Sequence, residues 1–199
     1  MVSSLYLSEA FGKMANRLEA VTLKKELRQQ TLARLQELAA SDKKVLREEK
    51  ILAELFDSSL WANAQTVATI LPLPLEFDTE KVLRQGWQEG KRMVTPKSLP
   101  ERKLAFHETT ADTERIVTNF GVFEPAIEAL VEKKEIDLIL VPGLVFRHDG
   151  YRIGFGGGFY DRYLADFQGQ TASLVFSEQM DEDWQPQAFD IPVARLFIG

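Results

Sequence analysis

Ile136-Asp137-Leu138-Ile139-Leu140-Val141 leads into Pro142-Gly143-Leu144-Val145-Phe146 and the tetrad Arg147-His148-Asp149-Gly150. Tyr151-Arg152-Ile153-Gly154-Phe155-Gly156-Gly157-Gly158-Phe159-Tyr160-Asp161-Arg162-Tyr163-Leu164 follows, and this whole stretch sets the fold class. Its opening is nearly continuous β-branched and leucine, the composition of a strand covered on both faces. Asp149-Gly150 is a turn pair, and residues 159–167 are expected to be helical after the glycines. In open α/β sheets ligands bind outside the carboxyl ends of the strands, and this glycine-rich loop would lie there.

The alternation extends outward from that stretch. Downstream, 171–176 and 194–198 read as strands. Upstream, 66–71 reads as a strand ending at Pro72. Residues 79–88 read as a helix with Val82, Leu83, Gly86 and Trp87 on one face and Gly90 past its end. Residues 91–95 look like a short strand stopped by Pro96, and 103–106 like another. Glu124-Pro125 is expected to open a helix, since proline is tolerated at the first helical position, with Ile127, Leu130 and Val131 toward the core. Thr22 is a candidate cap for a helix with Leu23, Leu27, Leu35 and Leu38 at helical spacing. Ser41-Asp42 starts a second helix, with Val45, Leu52 and Leu55 on its apolar stripe. Strands alternating with helices predict a sheet with helices on both faces. Residues 21–199 read as one domain and 1–20 as an N-terminal extension.

Composition narrows the chemistry. The chain has 199 residues, a formal charge of −6, no cysteine and two histidines. The acidic balance argues against duplex DNA or anionic lipid as partner. Without cysteine there is no thiol nucleophile, disulfide or iron–sulfur cluster, and two histidines make a histidine metal cage unpromising. No apolar run reaches a membrane span, and no secretion signal is evident. A cytoplasmic protein acting on small molecules is expected, with no nucleic acid, membrane or obligate protein partner.

The densest chemical signal is the glycine segment. Glycines let backbone N–H groups approach phosphate oxygens, and a following helix N-terminus adds positive potential. Arg152 at the loop entrance offers a forked, permanent charge, and Asp161 stands where a carboxylate can hold Mg²⁺ on those phosphates. The segment lacks the Lys-Ser/Thr ending of a P-loop and has Phe159 where the dinucleotide fingerprint requires glycine. A plain turn would also use glycines for positive φ. Four glycines in five residues, flanked by Arg152 and Asp161, favour phosphate binding. Lys24 and Arg28 share a helix face, a spacing that suits an anion grip or two solvated charges. Glu76 and Asp78 follow a predicted strand, Asp78 as a natural cap. Asp190 reads as an ordinary loop acid. Trp61, Trp87 and Trp184 read as core, and His107 and His148 as strand and turn residues without chemistry.

At the glycine loop the sequence resembles the 5-formyltetrahydrofolate cyclo-ligase family, also called methenyltetrahydrofolate synthetases. The likeness runs from Leu23 to the end of the chain in order and spacing. It includes Lys24-Lys25-Glu26-Leu27-Arg28, Glu76-Phe77-Asp78-Thr79, Gly90-Lys91, Gly121-Val122-Phe123-Glu124-Pro125 and Asp190. The resemblance implies a three-layer α/β/α fold with a mostly parallel, Rossmann-like sheet preceded by two N-terminal helices. It implies ATP- and Mg²⁺-dependent closure of 5-formyltetrahydrofolate to 5,10-methenyltetrahydrofolate through phosphorylation of the formyl oxygen, with ADP and phosphate released. By the same likeness Lys24, Arg28, Arg152, Ile153, Gly154, Phe155, Gly156, Gly157, Gly158, Phe159 and Tyr160 hold ATP. Asp161 and Asp190 hold Mg²⁺, Glu76 meets the folate, and Tyr160 lies where the substrates join, with Arg152 and Tyr160 as the catalytic pair. The chain departs from the family pattern at Arg147, Phe159 and Phe189. Substituting Arg152 or Asp161 is expected to cut turnover far more than stability. The competing readings are a sugar-phosphate isomerase or acyl-transfer enzyme on a similar sheet, and a non-catalytic nucleotide-binding module.

Overall fold

The run around Leu138 forms the middle of the sheet. The computed structural model describes residues 4–118 and 121–199; residues 1–3 of the expected extension lie outside them. The strands are β1 (Thr66–Ala68), β2 (Arg92–Leu99), β3 (Lys103–Glu108), β4 (Arg115–Val117), β5 (Phe123–Pro125), β6 (Leu130–Val131), β7 (Leu138–Leu140), β8 (Val145–Phe146), β9 (Arg152–Ile153), β10 (Gln170–Val175) and β11 (Arg195–Ile198). The helices are α1 (Ser4–Ala39), α2 (Lys43–Phe56), α3 (Ser59–Asn63), α4 (Glu80–Gln88) and α5 (Phe159–Leu164). Seven described strands make one sheet in the order β11-β10-β7-β1-β2-β3-β6. From β11 to β2 the neighbours are parallel, while β3 and β6 join antiparallel.

Strand alternation sends β7 to two cores. Leu138 and Leu140 pack with Val67, Met93, Ala172 and Phe197 against Leu27 and Leu35 of α1, Ile51 and Leu55 of α2 and Val82 and Leu83 of α4. Ile139 and Val141 pack with Ala68, Val94 and Phe106 against Tyr163 and Leu164 of α5. This is the expected three-layer α/β/α arrangement, its sheet mostly parallel. No described helix is long and apolar enough to cross a membrane.

Topology places a crevice. After β1 the chain builds β2 on one side, then returns to place β7 on the other. The connections leaving β1 and β7 therefore diverge at the carboxyl edge, the position where open α/β sheets receive ligands.

Several expectations are corrected. No helix opens at Glu124-Pro125: β5 pairs with β4 there, Val131 pairs with Phe106, and Ile127 and Leu130 stay exposed. Hairpin pairing with β4 and, for residues 130–131, pairing with β3 overrode the local N1-proline signal. Pro96 does not stop β2, because the Val94 carbonyl accepts from Thr69 N–H on the β1 side. Residue 96 faces that same side, where β1 has already ended, so the missing prolyl N–H leaves no neighbour short. Thr22 lies inside α1 rather than capping it, and Val45 is exposed on α2, whose buried stripe is Ile51, Leu52 and Leu55. The strand expected over 66–71 pairs only through Ala68, and the helix expected over 159–167 ends at Leu164.

Candidate functional site

Lys24, Arg28, Leu32 and Leu35 recur at four-, four- and three-residue spacing and so form one stripe of α1. The two cations are partly buried and hold specific partners. Arg28 Nε donates to the Gly154 carbonyl at 2.7 Å. Lys24 Nζ donates to Asp190 Oδ2 at 2.8 Å and stands 5.3 Å from the centre of the Trp184 ring. The first helix thus reaches the glycine loop and the segment before β11, two places more than 120 residues away in the chain.

Arg152, on β9, is buried. Its Nη1 donates to the Ile191 carbonyl at 2.6 Å and its Nη2 to Asp161 Oδ1 at 3.2 Å, which also accepts from Ile191 N–H at 3.1 Å. Burial lowers the Arg152 pKa from its ordinary value, and Asp161, Tyr160 and Asp190 oppose that. Asp190 Oδ2 accepts from Gln187 N–H as well as from Lys24. Asp161 and Asp190 are therefore held by adjoining backbone. Among the described residues Oδ2 of Asp161 and Oδ1 of Asp190 make no hydrogen bond.

Between Arg152 and Asp161 the loop turns on two left-handed glycines, Gly156 at φ 104° and Gly158 at φ 66°. A Cβ at Gly156 would also lie 3.6 Å from the Arg28 guanidinium. Among the described residues the N–H groups of Gly154, Phe155, Gly156, Gly157 and Gly158 donate to no protein acceptor. Free donors beside Arg28 suit an anion. Ile153 takes part only through its backbone, its carbonyl accepting from Leu144 N–H while its side chain is core. The Phe159 ring packs so close to Gly157 that a Cβ there would come within 2.5 Å of it.

Beside the loop, at the crevice after β1 and β7, lies a cavity of about 360 Å³. Leu32, Leu35, Leu73, Phe77, Leu144 and Phe155 supply its apolar wall and Glu76 a carboxyl. Glu76 Oε2 accepts from Leu73 N–H at 2.8 Å, and burial holds its pKa above the ordinary carboxylate value. The Tyr160 hydroxyl is buried without a partner. Burial pushes that phenol far above its usual range, with Glu76 adding to the effect and Arg152 opposing it. Arg152 reaches Asp161, the residue after Tyr160, while Glu76 lines the cavity. Asp78 stays out of the site: its Oδ1 accepts from Glu80 N–H at 3.2 Å at the start of α4.

Sequence reasoning missed Leu32 and the wall it forms with Leu73 and Phe77; four-residue spacing from Arg28 was the available signal. The chain carries no cluster of three or more metal-ligating side chains among the described residues. Two carboxylates with one open oxygen each fit Mg²⁺ taken up with its phosphates, the mode in which this ion keeps most non-protein ligands.

A sequence profile of the 5-formyltetrahydrofolate cyclo-ligase family matches residues 20–193. The chain is 30% identical over 140 residues to the 5-formyltetrahydrofolate cyclo-ligase of Escherichia coli K12, covering 67% of this chain and 77% of that one. It is 27% identical over 144 residues to the Haemophilus influenzae protein of the same name, covering 69% and 77%. The solved structure of Aquifex aeolicus 5,10-methenyltetrahydrofolate synthetase matches with a TM-score of 0.74 at 29% identity, over 88% of this chain and 89% of that one.

Proposed function

The chain belongs to the 5-formyltetrahydrofolate cyclo-ligase family, and on that premise we propose that it uses ATP and Mg²⁺ to close 5-formyltetrahydrofolate to 5,10-methenyltetrahydrofolate. The formyl oxygen is a poor leaving group until it accepts the γ-phosphoryl group, with ADP released. The N10 nitrogen then attacks the formyl carbon, the carbon–oxygen bond breaks, phosphate departs, and N10 loses its proton. Such a transfer is mainly positioning and charge stabilisation and needs no nucleophilic side chain.

The loop N–H groups from Gly154 through Gly158, with Lys24, Arg28 and Arg152, take the triphosphate; Ile153, Phe159 and Tyr160 frame it. Asp161 and Asp190 hold Mg²⁺, which when bound neutralises charge on the phosphates. In the free protein Lys24 pairs with Asp190 and Arg152 with Asp161. Those pairings keep the half-buried and buried charges satisfied until the ligand arrives. Glu76 meets the folate heterocycle in the cavity. The Tyr160 phenol, protonated at working pH, is a free donor where the two substrates meet.

One observation carries this reading: among the described residues, a loop with five free N–H groups, near Lys24, Arg28 and Arg152, borders an apolar cavity carrying a single carboxyl, Glu76. Purified protein given ATP, Mg²⁺ and 5-formyltetrahydrofolate is expected to generate the methenyl chromophore, followed by absorbance. ATP binding with no chromophore from folded protein rejects the reading. The catalytic unit is taken as residues 21–199 of a cytoplasmic enzyme, with 1–20 as an extension; the profile match beginning at residue 20 supports that boundary.

A further inference from the structure

Phe155 is 58% exposed, yet its side chain borders the cavity, and its backbone lies inside the glycine loop. It therefore belongs to both halves of the site. Its position is set from α1. Arg28 fixes the Gly154 carbonyl at 2.7 Å, and Leu32 and Leu35, further along the same helix, form part of the cavity wall. One rigid element thus carries the loop anchor and the wall. The ring stands between two glycines: a Cβ at Gly154 would meet nothing within 4 Å, and Gly156 sits at φ 104°.

An aromatic ring at an apolar mouth with much of its surface open is a stacking platform. Covering it with a ligand ring gains the hydrophobic term and the added preference of aromatic pairs. The N–H groups on each side of the same residue are free for phosphate oxygens. Resting on the cyclo-ligase reading, we propose that Phe155 couples the two substrates. Its ring closes over the cavity and packs on the aromatic part of the folate, while the flanking backbone binds the triphosphate. Nucleotide on the loop then holds the ring in place and tightens folate binding, and linkage makes the effect reciprocal.

The test is calorimetric titration of 5-formyltetrahydrofolate with and without a non-hydrolysable ATP analogue plus Mg²⁺. In the unaltered chain the analogue should tighten folate binding about tenfold, within the range usual for coupled sites. Phe155→Tyr should keep that factor. Phe155→Ala should lose it. Equal coupling in Phe155→Ala, loss of coupling in Phe155→Tyr, or no coupling in the unaltered chain each overturns the proposal. A chain that forms the methenyl product yet couples without the ring leaves the cyclo-ligase reading intact. A chain that binds neither substrate removes both.

Discussion

Among the described residues, two ion pairs at this site, Lys24–Asp190 and Arg152–Asp161, leave Arg28 and Glu76 without a charged partner, which decides what each substitution reports. Asp161→Asn retains an oxygen that can accept from Ile191 N–H and Arg152, so the fold should persist while the anionic ligand is lost. Turnover should fall about 100-fold, the scale of losing one electrostatic contact to a transition state, with little change in the thermal midpoint. Arg152→Ala is expected to lower stability as well as turnover. It strips partners from the Ile191 carbonyl and from Asp161 in a buried place, and breaking a buried pair costs about 3–5 kcal/mol. Thermal melts should show that loss along with the loss of turnover. Glu76 gives a pH signature. Its folded pKa lies above its unfolded value, so the native state binds the proton more tightly. Stability from this group falls as pH rises from the unfolded value, about 4.3, through the folded one. Glu76→Gln should therefore be the more stable protein at neutral pH, with the gap closing in acid, while its KM for folate rises. Melts of both proteins across pH, with kinetics beside them, check this; an unchanged gap at all pH values refutes it.

Individual elements carry different costs. Gly156 has a φ of 104°, a region costly for any residue with a Cβ. Gly156→Ala should raise the KM for ATP while folate binding in the absence of nucleotide stays as it was, read by titrating each ligand separately. On β7, Leu138 is fully buried between helices and neighbouring strands. Leu138→Ala should cost about 2–5 kcal/mol by denaturant unfolding, with turnover per folded molecule preserved because Leu138 does not border the cavity. The β7 strand, α4 and the β10–β11 pair were legible because their periodicity and capping agreed with their surroundings. The segment around Glu124-Pro125 was not, since its strands are two or three residues long, too short for a periodic signal, and exist only through pairing with β4 and β3.

For the whole molecule, α1 decides the architecture of the site. It brings Lys24 and Arg28 to loops that lie more than 120 residues further along. The described contacts of α1 with the site begin at Lys24, so a chain lacking residues 1–20 should retain turnover, measured by the same absorbance assay. Loss of activity in that folded truncation would move the domain boundary upstream. Sequence by itself determined the layer architecture, the glycine loop and the residue types a phosphate-binding site needs, because hydrophobic period, turn chemistry and motif spacing are local properties of the chain. Only tertiary structure decided that Lys24 and Arg28 are clamps rather than solvated charges, that Asp161 and Asp190 adjoin through Ile191, and that Leu32, Phe77 and Phe155 share one cavity. Those relations depend on strand order and long-range packing, and the reversal of strand order at β1 has no signature in any short stretch of sequence.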